Sequence, residues 1–359
     1  MAADMSSDDE EESVDQVSNP EVGDRDMETA PMGWGIVGTS GWADHTFAPA
    51  VRNGGGELIG AAGSTREGSA AFARRHGSAR TYRDLDELLA DDQVQCVWVA
   101  SPTDQHCDHA LRALEAGKHV LVEKPMATSV ADAERMATAA TRASVTTGVG
   151  FQHRFNRSHQ HLRELVRTGE LGDVVFVRLH QFIKADGLPS EWRQDPARSG
   201  GWAINDLGTH VIDLLRFLVG DVQIAGGGLV ASHFGLRVDD LAVALMRFQT
   251  ADGGLGLGSI EVSTAVPGTE SVMELHGTEG VAQLTNSWPG GGILHRRGEE
   301  QVFEVVDTYA EQVRAFSAAA STGAAYPGAS WDDGLANVRL VDALQRRGEV
   351  LVPPKGSGA

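Results

Sequence analysis

The chain has 359 residues, enough for two domains with sizeable cores. Its formal charge of −20 argues against nucleic acid or an anionic membrane surface as a partner, and no apolar run approaches the ~20 residues of a membrane span. Two cysteines, Cys96 and Cys107, give neither a disulfide framework nor a zinc-ligand spacing, so we expect a cytoplasmic protein.

The N-terminal segment carries about half of the negative charge. Residues 1–30 hold eleven acids against a single base, Arg25, and lack apolar periodicity. The start is acidic rather than basic and then apolar, so it is not a secretory signal. We therefore expect residues 1–31 to be disordered, with a partner-binding tail as the alternative. The acid surplus also suits a protein that works in high salt.

Residues 34–37 form the first predicted strand, and a glycine-containing turn leads from it into a helix. This order is typical of a dinucleotide-binding unit, because glycine lets the backbone approach a pyrophosphate and the helix start offers free N–H groups. The match to G-x-G-x-x-G is imperfect, and a plain tight turn is the alternative. The candidate cofactor contacts here are Gly38, Thr39, Ser40, Gly41 and Trp42.

The second predicted strand, residues 57–62, ends at Ser64, Thr65 and Arg66. An NAD-specific site usually places an acid here to bind the ribose 2′-hydroxyl. Two hydroxyls and an arginine suit the 2′-phosphate of NADP instead. We therefore favour NADP over NAD, the alternative for these residues being an ordinary helix cap.

Strands and helices then alternate as far as Gly150. This alternation predicts a parallel, doubly wound sheet, a Rossmann domain over residues 32–150. Helices are predicted at 67–75, 85–90, 106–116 and 132–141, and strands at 94–100, 120–122 and 145–149.

Ligands of such sheets bind outside the carboxyl ends of the strands. The segments that follow the strands should therefore meet at one edge, which adds Ser101, Pro102, Thr103, Glu123 and Lys124 to the candidate cofactor contacts. Lys124 is one of only four lysines, and its pKa can be tuned by its surroundings. His106 either touches the cofactor or simply lies in the first turn of a helix.

Residues 151–352 have a different pattern. Six runs with strand character are separated by Gly, Pro and Asp turns, which favours an open, mainly antiparallel sheet. These runs are residues 174–182, 222–230, 241–248, 255–262, 271–276 and 281–284. Helices are predicted at 161–168 and 332–346, the latter placed to pack back on the first domain, with a short strand-like stretch at 349–352 and disorder at 353–359.

One helix, residues 200–218, places Asp206, His210 and Asp213 at positions i, i+4 and i+7. A carboxylate one turn before a histidine can orient the imidazole and raise its basicity for proton transfer. The alternatives are a surface Asp–His pair and two ligands of a divalent ion. No further ligands with clear spacing are evident, so we expect no metal.

Four motifs resemble the Gfo/Idh/MocA oxidoreductase family. They are GIVGT at 35–39, SPTDQH at 101–106, HVLVEKP at 119–125 and GGWAINDLGTHVID at 200–213. Their order and spacing make the resemblance much more specific than any one motif, and it covers roughly residues 33–350. The chain departs from the family at Ser40 and Thr103, where many members carry Gly and Asn.

The resemblance implies a Rossmann domain, a C-terminal α/β domain that often mediates homo-oligomers (a dimer or tetramer here), and NAD(P)-dependent chemistry on sugars or cyclitols. It makes Lys124, Asp206 and His210 the catalytic candidates: His210 as base, Lys124 bonded to the reacting oxygen, and Asp206 orienting His210 or binding a neighbouring hydroxyl.

Arg154 and Asn156 are further candidate substrate contacts, with a packed hinge as the alternative. Trp192 and Trp202 are candidates for a wall on which a sugar stacks. The competing functions are a non-catalytic NADP-binding regulatory protein and a dehydrogenase of nucleotide-linked sugars.

Overall fold

The computed structural model of the chain describes residues 30–77, 80–231, 233–268, 271–347 and 350–351. The segments expected to be disordered, residues 1–31 and 353–359, lie outside this part except for residues 30 and 31. None of the described helices combines the length and the apolar character that crossing a membrane requires.

Six parallel strands form the first sheet, in the order β3-β2-β1-β4-β5-β6. This is the doubly wound order of a Rossmann domain, as predicted. The strands are β1 (Gly33–Val37), β2 (Glu57–Ala62), β3 (Arg80–Thr81), β4 (Cys96–Val99), β5 (His119–Val122) and β6 (Thr147–Val149).

Helices cover both faces of this sheet, so β1 and β4 are buried along their whole length and read as continuous apolar runs. The helices of the described residues are α1 (Ala48–Asn53), α2 (Arg66–His76), α3 (Leu85–Leu89), α4 (His106–Glu115), α5 (Val130–Ala140), α6 (Arg157–Arg167), α7 (Glu191–Gln194), α8 (Pro196–Ser199), α9 (Thr209–Val219), α10 (Thr308–Thr322) and α11 (Trp331–Arg347).

The second sheet has nine strands in the order β14-β13-β12-β11-β7-β10-β9-β8-β15. It is mainly antiparallel, as predicted, but β7 pairs with β10 and β8 with β15 in parallel. Its strands are β7 (Val174–Phe182), β8 (Val222–Val230), β9 (Leu241–Gln249), β10 (Leu255–Ser263), β11 (Val272–Gly277), β12 (Val281–Thr285), β13 (Gly292–Arg296), β14 (Glu299–Phe303) and β15 (Val350–Leu351).

The C-terminal helices join the two cores. Phe316 of α10 packs on Trp34 of β1, at 5.4 Å between ring centroids. Trp331 of α11 belongs to the core under the first sheet, whereas Leu344 of the same helix belongs to the core under the second. The two sheets are thereby held together by elements far from them in sequence.

Six elements of the described residues were not predicted: β3, β13, β14, α7, α8 and α10. Val313 and Phe316 are the members of α10 that enter the core, and the helix is stabilised by the Asp307 cap and by packing against a sheet formed from residues far away in the sequence. The polar strand β14 is largely exposed at the sheet edge. The predicted helix at 200–218 is also corrected, since a π-helical turn, Ile204–Gly208, precedes α9.

Candidate active site

A cavity of about 400 Å³ lies where the carboxyl ends of the first sheet's strands meet the start of α9. A cavity in this position fits the general rule for ligand sites in open α/β sheets. Ten of the residues predicted for the site line it: Ser40, Trp42, Ser101, Pro102, Thr103, His106, Glu123, Lys124, Asp206 and His210.

The turn after β1 is shaped for close approach of a ligand. Gly38 has a φ of +117°, and a Cβ atom there would lie 2.5 Å from the carbonyl oxygen of Ala100, so only glycine fits. Ser40, Gly41 and Trp42 are exposed before a π-helical turn, Ala43–Phe47, and α1. These features fit the pyrophosphate of a dinucleotide.

Thr65 caps α2 by accepting a hydrogen bond from the Gly68 backbone N–H at 3.1 Å. The cap that was the alternative for this segment therefore exists at Thr65. Ser64 and Arg66 are exposed beside it, and Arg66 forms no hydrogen bond or ion pair with the rest of the described chain. A cation without a partner at this strand end is available to a ligand.

Lys124 follows β5 directly, and its side chain is mostly buried. Its Nζ donates a hydrogen bond to the backbone oxygen of Asp206 at 2.9 Å and lies 4.0 Å from Asp206 Oδ1. Burial lowers the pKa of Lys124, while the charges of Asp206 and Glu123 raise it. The ammonium is thus fixed at the point where the first sheet meets the segment that leads into α9.

Glu123 is buried beside Lys124 and accepts a hydrogen bond from Trp98 Nε1 at 3.0 Å. Burial raises the pKa of Glu123 to about 7, against the opposing effects of Lys124 and Trp98. The Glu123 carboxyl group therefore changes between its neutral and its charged form near neutral pH, next to the lysine.

His210 lies in the first turn of α9, with only 4% of its surface exposed. Its ring stands edge-on to His153 and Trp288, at 4.8 and 5.4 Å between centroids. Burial, and then the charges of Lys124 and His153, hold the pKa of His210 well below its usual value. A neutral imidazole at neutral pH can accept a proton.

Asp206 makes no hydrogen bond to His210, so the first of its two predicted roles is corrected and the second, binding a substrate hydroxyl, stays a prediction. The Nδ1 atom of His210 is buried and has no hydrogen-bond partner among the described residues. The Asp206 carboxylate instead lies 3.4 Å from Arg193 Nε and close to Lys124. Two cations attract a carboxylate more strongly than a neutral imidazole does.

Asp213 was expected on the same helix face as Asp206 and His210, but it is bonded elsewhere. The buried Asp213 accepts from Arg154 Nη2 at 2.7 Å, and Arg154 also reaches Asp333 at 3.1 Å. Burial raises the pKa of Asp213, and the Arg154 charge opposes that rise.

Neither predicted substrate contact at the domain junction lines the cavity. The Arg154 guanidinium forms ion pairs with Asp213 and Asp333 instead. The side chain of Asn156 is completely buried; it caps α6 and donates to the backbone oxygens of Ser287 and Gly291. Both residues therefore match the alternative interpretation, in which they pack within the junction between the two domains.

Several lining residues were missed by the sequence reasoning. Arg193 lies in the short helix α7, with its guanidinium 4.4 Å above the Trp192 ring. Trp288 and Tyr309 come from regions with no predicted element. Trp192 and Trp202, predicted as an aromatic wall, do line the cavity. Only the adjacent tryptophan could have pointed to Arg193.

The helix that carries His210 is anchored by Asp239, which was not predicted. Its two carboxylate oxygens accept hydrogen bonds from the backbone N–H groups of Trp202 and Ile204, at 2.9 and 2.7 Å.

The described residues contain no cluster of three or more His, Cys, Asp or Glu side chains arranged to hold a metal ion.

The chain is similar to named sugar and inositol oxidoreductases along most of its length. It is 29% identical to a 1,5-anhydro-D-fructose reductase of Ensifer adhaerens over 84% of this chain and 92% of that protein. It is also 29% identical to a myo-inositol 2-dehydrogenase of Thermotoga maritima, and that match covers 72% of this chain and 78% of that protein.

Among solved structures, an oxidoreductase domain protein from Kribbella flavida superposes with a TM-score of 0.79. It is 27% identical, and the match covers 89% of this chain and 97% of that one. Residues 32–151 match the model of an oxidoreductase family with an NAD-binding Rossmann fold, and residues 159–283 match the C-terminal domain model of the same family. The chain therefore belongs to the GFO/IDH/MocA family of NAD(P)-dependent oxidoreductases.

Proposed function

We propose that this oxidoreductase transfers a hydride between NADP and a hydroxyl-bearing carbon of an uncharged sugar or cyclitol. The observation that carries the proposal is the shared cavity of Lys124 and His210, one from each half of the chain. A proton acceptor and a fixed cation beside the cofactor edge are the groups that oxidation of an alcohol requires.

The cofactor supplies the hydride chemistry when bound. In the oxidative direction, the neutral His210 takes the proton of the substrate hydroxyl. Lys124 donates a hydrogen bond to the same oxygen and stabilises its developing negative charge. In the reductive direction, the protonated His210 returns the proton to the carbonyl oxygen.

Of the two roles predicted for Asp206, the contacts favour binding a substrate hydroxyl over orienting His210. Its carboxylate pairs with Arg193, and its backbone oxygen accepts the hydrogen bond of Lys124 Nζ. Its oxygens also line the cavity, where they can accept a hydrogen bond from a second substrate hydroxyl.

NADP is preferred over NAD because of the end of β2. Arg66 is exposed there without a partner among the described residues, beside the Ser64 hydroxyl, and no acid directly follows this strand in the sequence. A guanidinium binds a phosphate through two N–H groups. The NAD-type ribose contact would need an acceptor at this point.

The substrate is uncharged because the cavity offers no free cation for a phosphate. Among the described lining residues, the lysine and arginine side chains are Lys124 and Arg193, and both lie close to the one Asp206 carboxylate. Tryptophans at positions 192, 202 and 288 give the cavity aromatic surfaces instead. These favour the apolar face of a sugar ring over a nucleotide-linked sugar.

The names of the two relatives point the same way. 1,5-Anhydro-D-fructose and myo-inositol are both uncharged ring compounds with several hydroxyl groups. We place the substrate of this chain in that chemical class.

We further propose that the protein is a homo-oligomer formed through the open face of its second sheet. Val243, Leu245 and Leu257 alternate with buried residues and are exposed on the face away from the helices. Beside them Arg178 pairs with Glu261 at 2.8 Å. A second copy of the same face would cover this apolar surface.

The test is a spectrophotometric comparison of paired substrates with NADP and NAD. Free hexoses, 1,5-anhydro sugars and inositols should support turnover, with NADP the better cofactor. Glucose 6-phosphate and UDP-glucose should not. Turnover confined to the phosphorylated compounds would contradict the substrate class. Tight NADP binding without turnover of any compound would favour a regulatory protein.

A further inference from the structure

His106 is a buried ionisable group of the cavity that the proposed chemistry does not use. It is the first residue of α4 and is only 1% exposed. Its ring lies between two segments that follow neighbouring strands: Ser101 after β4 and Pro125 after β5. Both segments form the edge where the cofactor is expected to bind.

Both ring nitrogens of His106 face backbone carbonyl oxygens. Nδ1 lies 2.9 Å from the oxygen of Pro125, and Nε2 lies 2.8 Å from the oxygen of Ser101. A carbonyl oxygen can only accept a hydrogen bond, whereas a neutral imidazole has one N–H and one bare nitrogen. A neutral ring would therefore set a bare nitrogen against an oxygen lone pair. Only the imidazolium donates to both oxygens.

Rotating the ring does not remove this conflict. A half-turn would bring ring carbons toward the two oxygens, and C–H···O contacts normally measure about 3.3–3.6 Å. The observed separations of 2.8 and 2.9 Å are those of N–H donors. The two carbonyls are thus spaced for a ring that donates at both ends.

Electrostatics set the conditions under which His106 is charged. Burial, with a smaller contribution from His109, lowers the pKa of His106 to about 4, although the two carbonyl bonds and Asp104 act to raise it. Asp104 itself pairs with Arg198 at 2.9 Å. Because burial dominates, the imidazolium at neutral pH needs another negative charge nearby. A dinucleotide pyrophosphate at this edge supplies one.

We propose that His106 is a proton-linked clamp of the cofactor-bound protein: as an imidazolium it joins the Ser101 and Pro125 carbonyls, and dinucleotide binding stabilises that charge. The clamp holds the peptide that follows Lys124 against the segment after β4. His106 is thus a positioning residue for Lys124. The inference rests on the proposed function only in assuming that the site binds NAD(P).

Calorimetric titration with NAD in buffers of different ionisation enthalpy tests the linkage. NAD is the probe because the 2′-phosphate of NADP would itself titrate near pH 6. Near pH 7, the wild-type protein should take up nearly one proton for each NAD molecule that it binds. His106→Gln should lose most of that uptake, and the control His109→Gln should retain it. Unchanged uptake in His106→Gln, or none in the wild type, would overturn the linkage.

Nitrogen NMR of the wild-type complex, labelled with [15N]histidine, tests the clamp without depending on the folding of any variant. His106 should show two protonated ring nitrogens with cofactor bound at pH 7. One bare nitrogen in the complex would overturn the clamp. Absence of any dinucleotide binding would instead contradict the proposed function.

Discussion

Lys124 and His210 were predicted from different features of the sequence. Lys124 was placed at the site because residues after parallel strands share one sheet edge. His210 was found through helical spacing and the family resemblance. Both line the same cavity, so the sequence located the two candidate catalytic groups but not their contacts.

The contacts of Asp206 show why the local pattern was insufficient. Spacing within one helix pointed to His210, yet the carboxylate lies beside Arg193 and Lys124. Arg193 belongs to a short helix with no periodicity of its own. Pairing of charges across elements is set by the tertiary fold and has no signature in a local sequence window.

Replacing Lys124 with methionine tests its role in stabilising the reacting oxygen. We expect kcat to fall by about 10²–10⁴-fold, with little change in NADP affinity measured by fluorescence titration. Lys118→Met is the matched control, because Lys118 lies at the other end of β5 and bonds to the backbone oxygen of Asp91. Near-wild-type turnover in Lys124→Met would remove Lys124 from the catalytic set.

The pH dependence of substrate oxidation tests His210. The base must be neutral, and burial together with the Lys124 charge lowers its pKa. As the pH is lowered, kcat/KM should therefore begin to fall only below pH 6.5, the ordinary pKa of histidine. Removing the positive charge in Lys124→Met should raise the pKa of His210 and shift that limb to higher pH. A shift in the opposite direction would contradict the assignment.

At the scale of elements, alternating strands and helices were enough to predict the Rossmann sheet. Its buried strands are apolar runs bounded by glycine and polar turns, a strong local signal. Helix α10 gave no comparable signal, because only Val313 and Phe316 of this helix enter the core, where they meet residues of β1. The exposed edge strand β14 likewise has no apolar face to detect.

The junction between the two halves provides a stability test. Asn156→Ala removes the cap of α6 and the buried side-chain hydrogen bonds to the Ser287 and Gly291 oxygens. Among the described residues, these oxygens keep only the Gly290 N–H and the Ser158 hydroxyl as donors. The free energy of unfolding should fall by about 2–4 kcal/mol, while KM stays unchanged. Asn53→Ala is the control, since it removes only an exposed hydrogen bond to Asp307 and should cost less than about 0.5 kcal/mol. A raised KM without lost stability would restore Asn156 as a substrate contact.

At the scale of the whole molecule, the second sheet presents an apolar face that its own helices leave uncovered. Leu245 and Leu257 are each 52% exposed there. If the proposed oligomer forms through this face, lysine at both positions should convert it to monomers in analytical ultracentrifugation, because the added charges cannot be buried without a partner. Val305→Lys, in an exposed loop, should leave the assembly unchanged. A wild-type monomer at micromolar concentration would contradict the interface.

The most direct test of the central claim follows the hydride itself. Wild-type enzyme is supplied with NADP and an uncharged sugar or inositol deuterated at its carbinol carbons, and the product cofactor is analysed by mass spectrometry. Deuterium should appear in NADPH at one atom per turnover, and Lys124→Met and His210→Asn should bind NADP but transfer almost none. Transfer at wild-type rates by either variant, or no transfer by the wild type from any uncharged ring substrate, would contradict the account.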